Sequence, residues 1–445
     1  MVGLKNERKT TFLWILLLCS LFLTGCANGQ PAETVMPQED YSVQSTYIEP
    51  MADSYDESLI VHVDTEESAI QFYNLEMCRT YTLQYSTSTG MKNRYGDELV
   101  AGQLECGDMV KITFFKDSKQ LKSLQILSDV DVSTNVTDFE INSVARTMTL
   151  GADPYKVSKN AMVLSKGNLL ELNEIHSSDT LKVVSKDHEI LGITVENGHG
   201  YVRLSGQDSF IDGFVEIGQA IIKKVTPEML LVAPEGDYTL YISKNGLFGS
   251  EEITVKAGEE TLVDVSKFEV TDEKKMGKII FTISPSKAEL YIDQEKTEYD
   301  EPVEMTCGIH QIRVKANGYK TLTQYIKVGQ ATANLNIELE ESDGKDDEEE
   351  EENENASPVT DPSVSSNTIE VSEADGYRVY IDAPVSAELY VDGNYVGIIP
   401  TNFAKKEGTY VVSLRRDGYQ TRSYTLQIDT SEKDVRYSFS DLTPK

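Results

Sequence analysis

The sequence predicts an all-β protein, with two small β-barrel-like repeats followed by three small β-sandwich units and linkers between the folded parts. Short runs of alternating apolar and polar residues dominate, such as Val110 to Phe114 and Tyr238 to Ile242. Gly, Asn and Asp bound these runs, and helical periodicity is scarce. Two sets of internal repeats divide the chain into modules.

The composition excludes several classes of function. The 445 residues include 41 Lys and Arg against 74 Asp and Glu, which gives a formal net charge of −33. Phosphate backbones select basic surfaces, so no nucleic-acid partner is expected. Only one apolar run is able to enter a bilayer, which excludes a polytopic membrane protein.

The N-terminus has the parts of a secretory signal peptide, predicted over residues 1–25. Basic residues precede an apolar stretch from Phe12 to Leu23, which is shorter than the roughly 20 residues that span a membrane. The stretch ends in Leu-Thr-Gly-Cys, which resembles a bacterial lipobox. The resemblance implies acylation of Cys26, with palmitate as an expected chain, and a lipid anchor on the extracytoplasmic face of the bacterial cell membrane. The alternative is an ordinary signal peptide with an incidental cysteine.

Two segments have the composition of linkers. Residues 26–58 are rich in Pro, Gln, Ser, Thr and acidic residues, and we interpret them as a flexible tether. Residues 342–375 contain a run of acids and then a Ser/Pro-rich stretch. Like charges repel and extend a chain, so this second segment is predicted to be a spacer.

The first repeat pair covers residues 59–130 and 131–205. Arg79 to Leu83 matches Arg146 to Leu150, and Asp108 to Ile112 matches Asp179 to Val183. A few short strands bury a core and lose their exposed edges by curling into a barrel, so each copy is predicted to be barrel-like.

The second repeat set predicts sandwich units at residues 206–271, 276–341 and 376–442. Ala288 to Asp293 matches Ala387 to Asp392. Further along each unit, Gly246, Gly318 and Gly418 each follow Asn or Asp. These dipeptides predict type I′ turns, which require positive φ angles.

The pattern in residues 384 to 419 resembles the PEGA domain of bacterial surface proteins: Pro…Ala-Glu-Leu-Tyr-Val-Asp-Gly…Gly-Ile-Ile-Pro-Thr…Gly-Thr-Tyr…Asp-Gly-Tyr. Residues 279 to 340 are similar, although Asp293-Gln294 replaces the Asp-Gly turn. Residues 207 to 266 keep only Pro-Glu-Gly, ending at Gly236, and the later Gly. The resemblance implies a small β-sandwich and an envelope location, and it transfers no catalytic residue.

Motifs for catalysis, metal binding and cofactor binding are missing from the sequence. The five histidines have no zinc-motif spacing, and there is no Cys-x-x-Cys pair, nucleophile elbow or phosphate-binding glycine loop. We therefore expect no catalytic residue, no metal and no cofactor. Surface or turn positions are expected for His62, His176, His188, His199 and His310.

Three tyrosines are candidates for contact with a ligand. Tyr291, Tyr390 and Tyr395 lie on or near predicted hairpins, and aromatic faces commonly bind sugars. The alternative is that Tyr291 and Tyr390 pack within the repeated strands, which strand aromatics usually do.

Two cysteines differ together between the first repeats. Cys78 and Cys106 occupy positions where the second copy has Ala145 and Ser177. A disulfide between them would explain the joint change in an exported protein, and two small buried thiols would explain it equally. Cys307 is predicted to be a buried free thiol.

The sequence therefore predicts a membrane-anchored extracytoplasmic lipoprotein that acts as a non-catalytic scaffold or interaction protein of the cell envelope. The alternatives are a cell-wall glycan-binding protein and, third, an extracytoplasmic hydrolase. The expected partners are the membrane, through acylated Cys26, and either an envelope protein or a wall polysaccharide. The oligomeric state is left open.

Overall fold

The computed structural model describes residues 51–218, 220–268, 275–329, 331–342 and 376–445. Cys26 and nearly all of the predicted signal peptide, tether and acidic linker lie outside these residues. The predicted all-β class is confirmed, because the described residues form 34 strands and four short 3₁₀ helices without an α-helix. None of the described helices has the length and apolar character needed to cross a bilayer.

The first β-module comprises residues 54–126. Its strands are β1 (Ser54–Asp64), β2 (Ala69–Asn74), β3 (Arg79–Gln84), β4 (Gly90–Lys92), β5 (Met109–Phe115) and β6 (Gln120–Ile126), with a 3₁₀ helix at Ala101–Gln103. They form one sheet in the order β3-β2-β1-β5-β6-β4. The pair Gln84 and Gln120 joins β3 to β6, so the sheet closes on itself as a small barrel.

The second β-module comprises residues 131–197. Its strands are β7 (Asp131–Val136), β8 (Phe139–Asn142), β9 (Thr147–Leu150), β10 (Asp153–Ser165), β11 (Asn168–Leu169), β12 (Thr180–Lys186) and β13 (Glu189–Asn197), with a 3₁₀ helix at Leu172–Glu174. The sheet has the order β7-β12-β13-β10-β9-β8, with β11 paired to β10. Strands β7 and β8 end this order without pairing to each other, so the second module is an open sheet where a barrel was predicted.

The two β-modules pack against each other through apolar side chains. Leu59 and Met109 of the first share a buried cluster with Met162, Leu164 and Val184 of the second. At the rim, the Lys182 ammonium lies 2.8 Å from carboxylate oxygens of both Glu105 and Asp108.

Three sandwich units follow. The first (residues 198–268) has strands β14 (His199–Ser205), β15 (Phe214–Ile217), β16 (Ile221–Lys224), β17 (Leu230–Pro234), β18 (Gly236–Lys244), β19 (Leu247–Val255) and β20 (Glu260–Asp264), with 3₁₀ helices at Asp208–Phe210 and Val265–Lys267. The second (275–342) has β21 (Met276–Ser284), β22 (Glu289–Ile292), β23 (Glu295–Thr297), β24 (Val303–Thr306), β25 (Gly308–Lys315), β26 (Leu322–Val328) and β27 (Thr332–Glu338). The third (376–445) has β28 (Arg378–Ala383), β29 (Glu388–Val391), β30 (Asn394–Ile398), β31 (Thr401–Ala404), β32 (Gly408–Arg415), β33 (Arg422–Ile428) and β34 (Val435–Ser438).

All three sandwich units have the same topology. Each packs a three-stranded sheet on a four-stranded sheet, in the orders β17-β14-β20 and β16-β15-β18-β19 for the first unit, and the other two repeat this order strand for strand. In each unit the first and last strands pair in parallel. Alternate residues of both sheets point inward to form the core, for example Val202 and Leu240 in the first unit.

Two predicted boundaries differ from the strands. The predicted second repeat ends at residue 205, but β14 (His199–Ser205) is the central strand of a sheet in the first sandwich unit. Val202 and Leu204 explain this, because they face the core of that unit. Strand β1 begins at Ser54, within the segment predicted as tether.

The predicted turn glycines all have positive φ, but the turn type differs. Asn245 and Gly246 have φ values of 49° and 85° and join β18 directly to β19, as a type I′ turn requires. Gly318 and Gly418 each have a φ of 80°, but the residue before them does not have a positive φ. This is the pattern of a type II turn, so the type I′ prediction is wrong at these two turns, where six residues separate the strands.

Candidate functional site

The candidate site is a set of contact surfaces on the four-stranded sheets of the sandwich units. We call the side of such a sheet that points away from its own core the outer face. Each outer face carries a tyrosine at its centre, since residues alternate between the two sides of a strand. These tyrosines are Tyr241, Tyr291 and Tyr390 in the three units.

Tyr390 is buried between two sandwich units. Its side chain is only 4% exposed and packs with Tyr201 and Leu230 of the first unit. Tyr395 lies beside it with ring centroids 5.6 Å apart and is 37% exposed. Tyr390 therefore contacts protein, but it packs against another unit and not, as the packing alternative had it, within its own repeated strands.

Charged groups surround this apolar centre. Arg415 Nε lies 2.8 Å from Glu260 Oε2 of the first unit, and Arg203 Nε lies 2.7 Å from the other Glu260 oxygen. Burial alone would raise the pKa of Glu260, but hydrogen bonds from Arg203 and Arg415 outweigh it and lower the pKa. Arg415 also donates to Glu388, the residue to which the Tyr390 hydroxyl donates.

The same sheet also contacts the second β-module. Arg422 Nε donates to Glu174 Oε1 at 2.8 Å, although 248 residues separate them in sequence. Thr425 donates to the Ile175 carbonyl at 3.2 Å, and Gln427 donates to the Ile141 carbonyl at 2.8 Å. We call this contact surface, the outer face of the third unit together with the start of its edge strand β33, the docking face. Its contact residues are Tyr390, Arg415, Arg422, Ser423, Thr425 and Gln427.

A polar cluster lies beside the docking face. Ser423 donates to the Tyr201 hydroxyl at 3.0 Å. The His199 ring stacks edge-on against Tyr201 and lies 2.8 Å from Asp179. Burial and the neighbouring His199 lower the pKa of His176 to about 3, so this histidine is neutral.

Not every histidine lies at the surface as predicted. His62 and His188 are exposed, but His176 and His199 are half-buried and His310 is buried. His176 begins the turn that the Asp179 amide closes, so a turn position is correct for it. The prediction is wrong for His199 and His310, which lie on strands and have the polar partners Asp179 and Asp293 inside the fold. Within the part of the chain that the structure describes, no group of His, Cys, Asp and Glu could hold a metal ion.

The outer face of the first sandwich unit contacts the second unit. Ser243 Oγ accepts a hydrogen bond from the Ile309 backbone at 3.0 Å, and Lys327 pairs with Glu216 at 2.9 Å. A cleft of about 430 Å³ lies at this junction. Its lining includes Tyr241, Phe248, Lys275, Cys307 and Lys327.

The chemistry of the cleft suits an anionic molecule with an apolar face. Tyr241 and Phe248 stack at a centroid distance of 6.2 Å. The Lys327 and Lys275 ammonium groups lie 3.8 and 4.7 Å from the centroids of Tyr241 and Phe248 respectively. The cleft therefore combines two rings with two lysines that lie over them, of which Lys327 is paired with Glu216.

In the second unit, Tyr291 on β22 occupies the position that Tyr390 on β29 has in the third unit. Its hydroxyl donates to Glu289 at 3.0 Å, as Tyr390 donates to Glu388. Arg313 lies over the ring, 4.7 Å from its centroid. Arg313 thus covers one face of the Tyr291 ring, as Lys327 covers one face of Tyr241, and contact of Tyr291 with a ligand stays a prediction.

The three described cysteines are free thiols. Cys78 is exposed in the β2–β3 turn, Cys106 is half-buried and Cys307 is buried, the last as predicted. No bond joins Cys78 to Cys106 in the structure, so their disulfide stays a prediction.

Sequence reasoning did not find Arg415, Arg422 or their carboxylate partners. Arg415 aligns in the repeat with Lys315, which pairs with Glu289 of its own unit. The available signal was the pair of adjacent arginines, Arg415 and Arg416, in a strongly acidic chain.

The solved structures that resemble this chain do so only at low sequence identity. None of the curated proteins compared with this chain matches it. Among solved structures, the Bacillus anthracis TIE protein is 10% identical, over 88% of this chain and 69% of its own, with a TM-score of 0.17. A streptococcal ancillary pilin is 9% identical, over 56% of this chain and 99% of its own, with a TM-score of 0.13. Both TM-scores are too low to indicate a shared fold.

The PEGA domain model matches residues 276–343 and 372–440, which correspond to the second and third sandwich units. The resemblance seen in the sequence is therefore confirmed for these two segments. PEGA domains are non-catalytic domains of surface proteins, and their presence indicates that the chain is a protein of the extracellular, surface type.

Proposed function

We propose that this protein is a lipoprotein anchored to the outside of the bacterial cell membrane, where it acts as a non-catalytic scaffold of the envelope. The lipobox-like segment ending at Cys26 supports the anchor. Two PEGA segments support the location. In this role the protein presents sheet faces to other proteins and performs no chemistry.

The observation that carries the scaffold role is the docking face, which binds the first sandwich unit and the second β-module of the same chain and so is an outer face of these repeats that binds folded protein. It has an apolar centre at Tyr390 and a surrounding set of hydrogen-bonded charges, including Arg415. Protein–protein interfaces have this organisation, with an apolar core and a polar rim. A sheet face built in this way recognises another folded surface.

The anchor is tested by expressing the wild-type chain and Cys26→Ala in a bacterium that processes lipoproteins. We expect the wild type in the membrane fraction, with an N-terminal peptide mass that includes acyl chains. Cys26→Ala should lose both. A wild-type chain that is secreted without acyl groups would contradict the anchor.

The scaffold role is tested by placing a photoreactive amino acid at Arg313, on the outer face of the second unit, in growing cells. Cross-links to one or a few envelope proteins are expected. A matched probe at Lys278, on the three-stranded sheet of the same unit, should not yield those products. Equal products from both positions would indicate random collisions and contradict a specific face.

A second candidate function is binding of an anionic wall glycan at the cleft between the first two sandwich units. The stacked Tyr241 and Phe248, with Lys275 and Lys327 beside them, favour it. Retention on purified cell wall should fall in Lys275→Gln and not in Lys278→Gln. Wild-type protein that is not retained at low or high salt would exclude this function.

A further inference from the structure

The third sandwich unit is held by contacts with parts of the chain that are distant in sequence. Its docking face contacts the first sandwich unit at Tyr201 and the second β-module at Glu174. The whole second sandwich unit, residues 275–342, lies between these elements and the third unit in the sequence. The docking contacts and the covalent connection are therefore separate features.

Main-chain contacts reinforce the docking. Leu230 N donates to the Gly393 carbonyl at 2.9 Å, and Tyr395 N donates to the Glu228 carbonyl at 3.3 Å. Met229 and Asn394 lie opposite each other as an isolated antiparallel bridge. The two surfaces thus recognise each other through backbone shape as well as through side chains.

The chemistry of the contact is that of an interface between separate proteins. The small apolar centre at Tyr390 is flanked by two charge pairs, the buried Arg415–Glu260 and the partly buried Arg422–Glu174. Interfaces between domains of one chain resemble transient interfaces between chains. Such contacts do not depend on both surfaces belonging to one molecule.

The covalent connection does not determine whether the third unit binds its own chain or a second copy of the chain. Residues 343–375 join the second and third units. A segment of this length reaches up to about 110 Å, at roughly 3.4 Å per residue. The third unit is therefore able to meet the corresponding surface of a neighbouring molecule as well as its own.

We propose that the third sandwich unit exchanges between copies of this chain. In the exchanged dimer, the docking face of each copy binds the surface around Tyr201, Leu230, Glu260 and Glu174 of the other copy, through the contacts seen within one chain. The partner is a second copy because the surface already complementary to the docking face is this chain's own. Domain exchange of this kind forms dimers without requiring a new interface.

The protein concentration controls the balance between the docked monomer and the exchanged dimer. Because both surfaces belong to one chain, the internal contact has an effective concentration of the order of millimolar. The wild-type protein in dilute solution is therefore mainly monomeric. Exchange becomes favourable when the internal contact is weakened, or when anchoring crowds the molecules together.

Opposite charge reversals at one ion pair test the proposal. In Arg422→Glu, two carboxylates face each other within one chain, at positions 422 and 174. In Glu174→Arg, two guanidinium groups face each other there. Each variant alone should be monomeric with its third unit undocked. In an equal mixture, the third unit of R422E places Glu at position 422 against Arg at position 174 of the E174R chain, so opposite charges meet. The third unit of E174R in turn meets the R422E chain through the wild-type pair of Arg422 and Glu174.

The expected result is a doubling of the molar mass by light scattering in the mixture but in neither variant alone. A chain with both reversals should be monomeric and docked, which controls for damage to the fold. A mixture that stays at the mass of one chain up to about 100 μM, while the amides around Leu230 exchange rapidly in each single variant, would overturn the proposal.

A cysteine pair gives an independent test if the reversals fail to undock the unit. Met229→Cys and Asn394→Cys are placed together in a Cys78→Ser chain, since opposed strand residues suit a disulfide. Two versions of different size are mixed at millimolar concentration and then oxidised. Cross-links between the two sizes support exchange, and cross-links only within one chain would overturn it.

Discussion

Arg415 and Glu260 form an ion pair at 2.8 Å although 155 residues separate them in sequence. Both side chains are about nine-tenths buried. The pair joins the third sandwich unit to the first, next to the contact of Tyr390 with Tyr201 and Leu230. It is the clearest sign that the outer face of the third unit binds another folded surface.

Replacement of Arg415 by Met should release the third unit. Removing one member of a buried ion pair leaves the other charge uncompensated, which costs about 3 to 5 kcal/mol. Here Glu260 keeps Arg203, so we expect the lower end of that range. Hydrogen exchange of the Leu230 amide measures the loss, and Lys278→Met, in the exposed pair with Glu304, is the control. Unchanged protection of Leu230 in Arg415→Met would contradict the role of the pair.

Gln294→Gly should stabilise the second sandwich unit. Asp293 and Gln294 form a two-residue turn with φ values of 49° and 75°, and the third unit has Gly393 at the position of Gln294. A side chain at this φ is strained, so glycine should raise the free energy of unfolding by about 0.5 to 1 kcal/mol. Hydrogen exchange of the β22 and β25 amides measures this gain. The neighbouring change Glu295→Gly, within strand β23, should destabilise the unit, and a loss of stability in both variants would contradict the turn assignment.

The second sandwich unit should lose stability as the pH rises through neutrality. Burial lowers the pKa of His310, but the hydrogen bond and the charge of Asp293 outweigh it, so the pKa is raised. The stabilisation is complete below the unfolded pKa of about 6.5 and is lost as the pH rises through the folded value. Amide exchange in β25, corrected for intrinsic rates between pH 5 and 8.5, measures the slope. Asp293→Asn should flatten it, and a slope of the opposite sign would contradict the pairing.

Asp392 should make the third unit less stable as the pH rises from 4 to 7. Burial raises the pKa of this carboxyl to about 6, although the Val411 amide and the Lys223 charge act in the opposite direction. A raised acid pKa means that the folded state holds its proton longer, so ionisation costs up to about 3 kcal/mol. Asp392→Asn keeps an oxygen for the Val411 amide and should remove this pH dependence. Identical pH profiles for the wild type and the variant, measured by exchange in β32, would exclude the assignment.

The three described thiols should react in a fixed order. Cys78 is exposed, Cys106 is half-buried with its pKa raised by burial, and Cys307 is buried. Titration with a thiol reagent should therefore show one fast group, one slow group and one that reacts only after unfolding. If Cys78 and Cys106 form a disulfide in protein from the cell envelope, neither of them will react before reduction. Fast reaction of Cys307 in the native protein would contradict its burial at the junction of the first two sandwich units.

The repeats made much of the architecture predictable. The matching segments around Tyr291 and Tyr390 predicted equivalent strands, and Asn245-Gly246 predicted the type of its turn correctly. The turns at Gly318 and Gly418 were assigned a wrong type because one positive φ satisfies several turns. A local sequence pattern reflects the backbone conformation of neighbouring residues, which was sufficient to predict where the strands lie.

The contacts between modules were not predictable in this way. Ser423 and Tyr201 are 222 residues apart, and nothing in either local pattern indicates the other. Tyr390 has the same sequence context as Tyr291, but only Tyr390 is buried against another unit. Beside Tyr390, Arg415 pairs with Glu260 of the first unit, and this contact exists only once the fold has brought the two residues together.

The central claim is that the outer face of the third unit recognises a folded protein surface. The most direct measurement replaces Tyr390 by photoreactive benzoylphenylalanine in the full chain and identifies the cross-linked peptides by mass spectrometry. The account predicts products with the segments that contain Tyr201 and Leu230, from the same chain or from a second copy. Cross-links only to wall glycan, or none to these segments while the protein is folded, would contradict it.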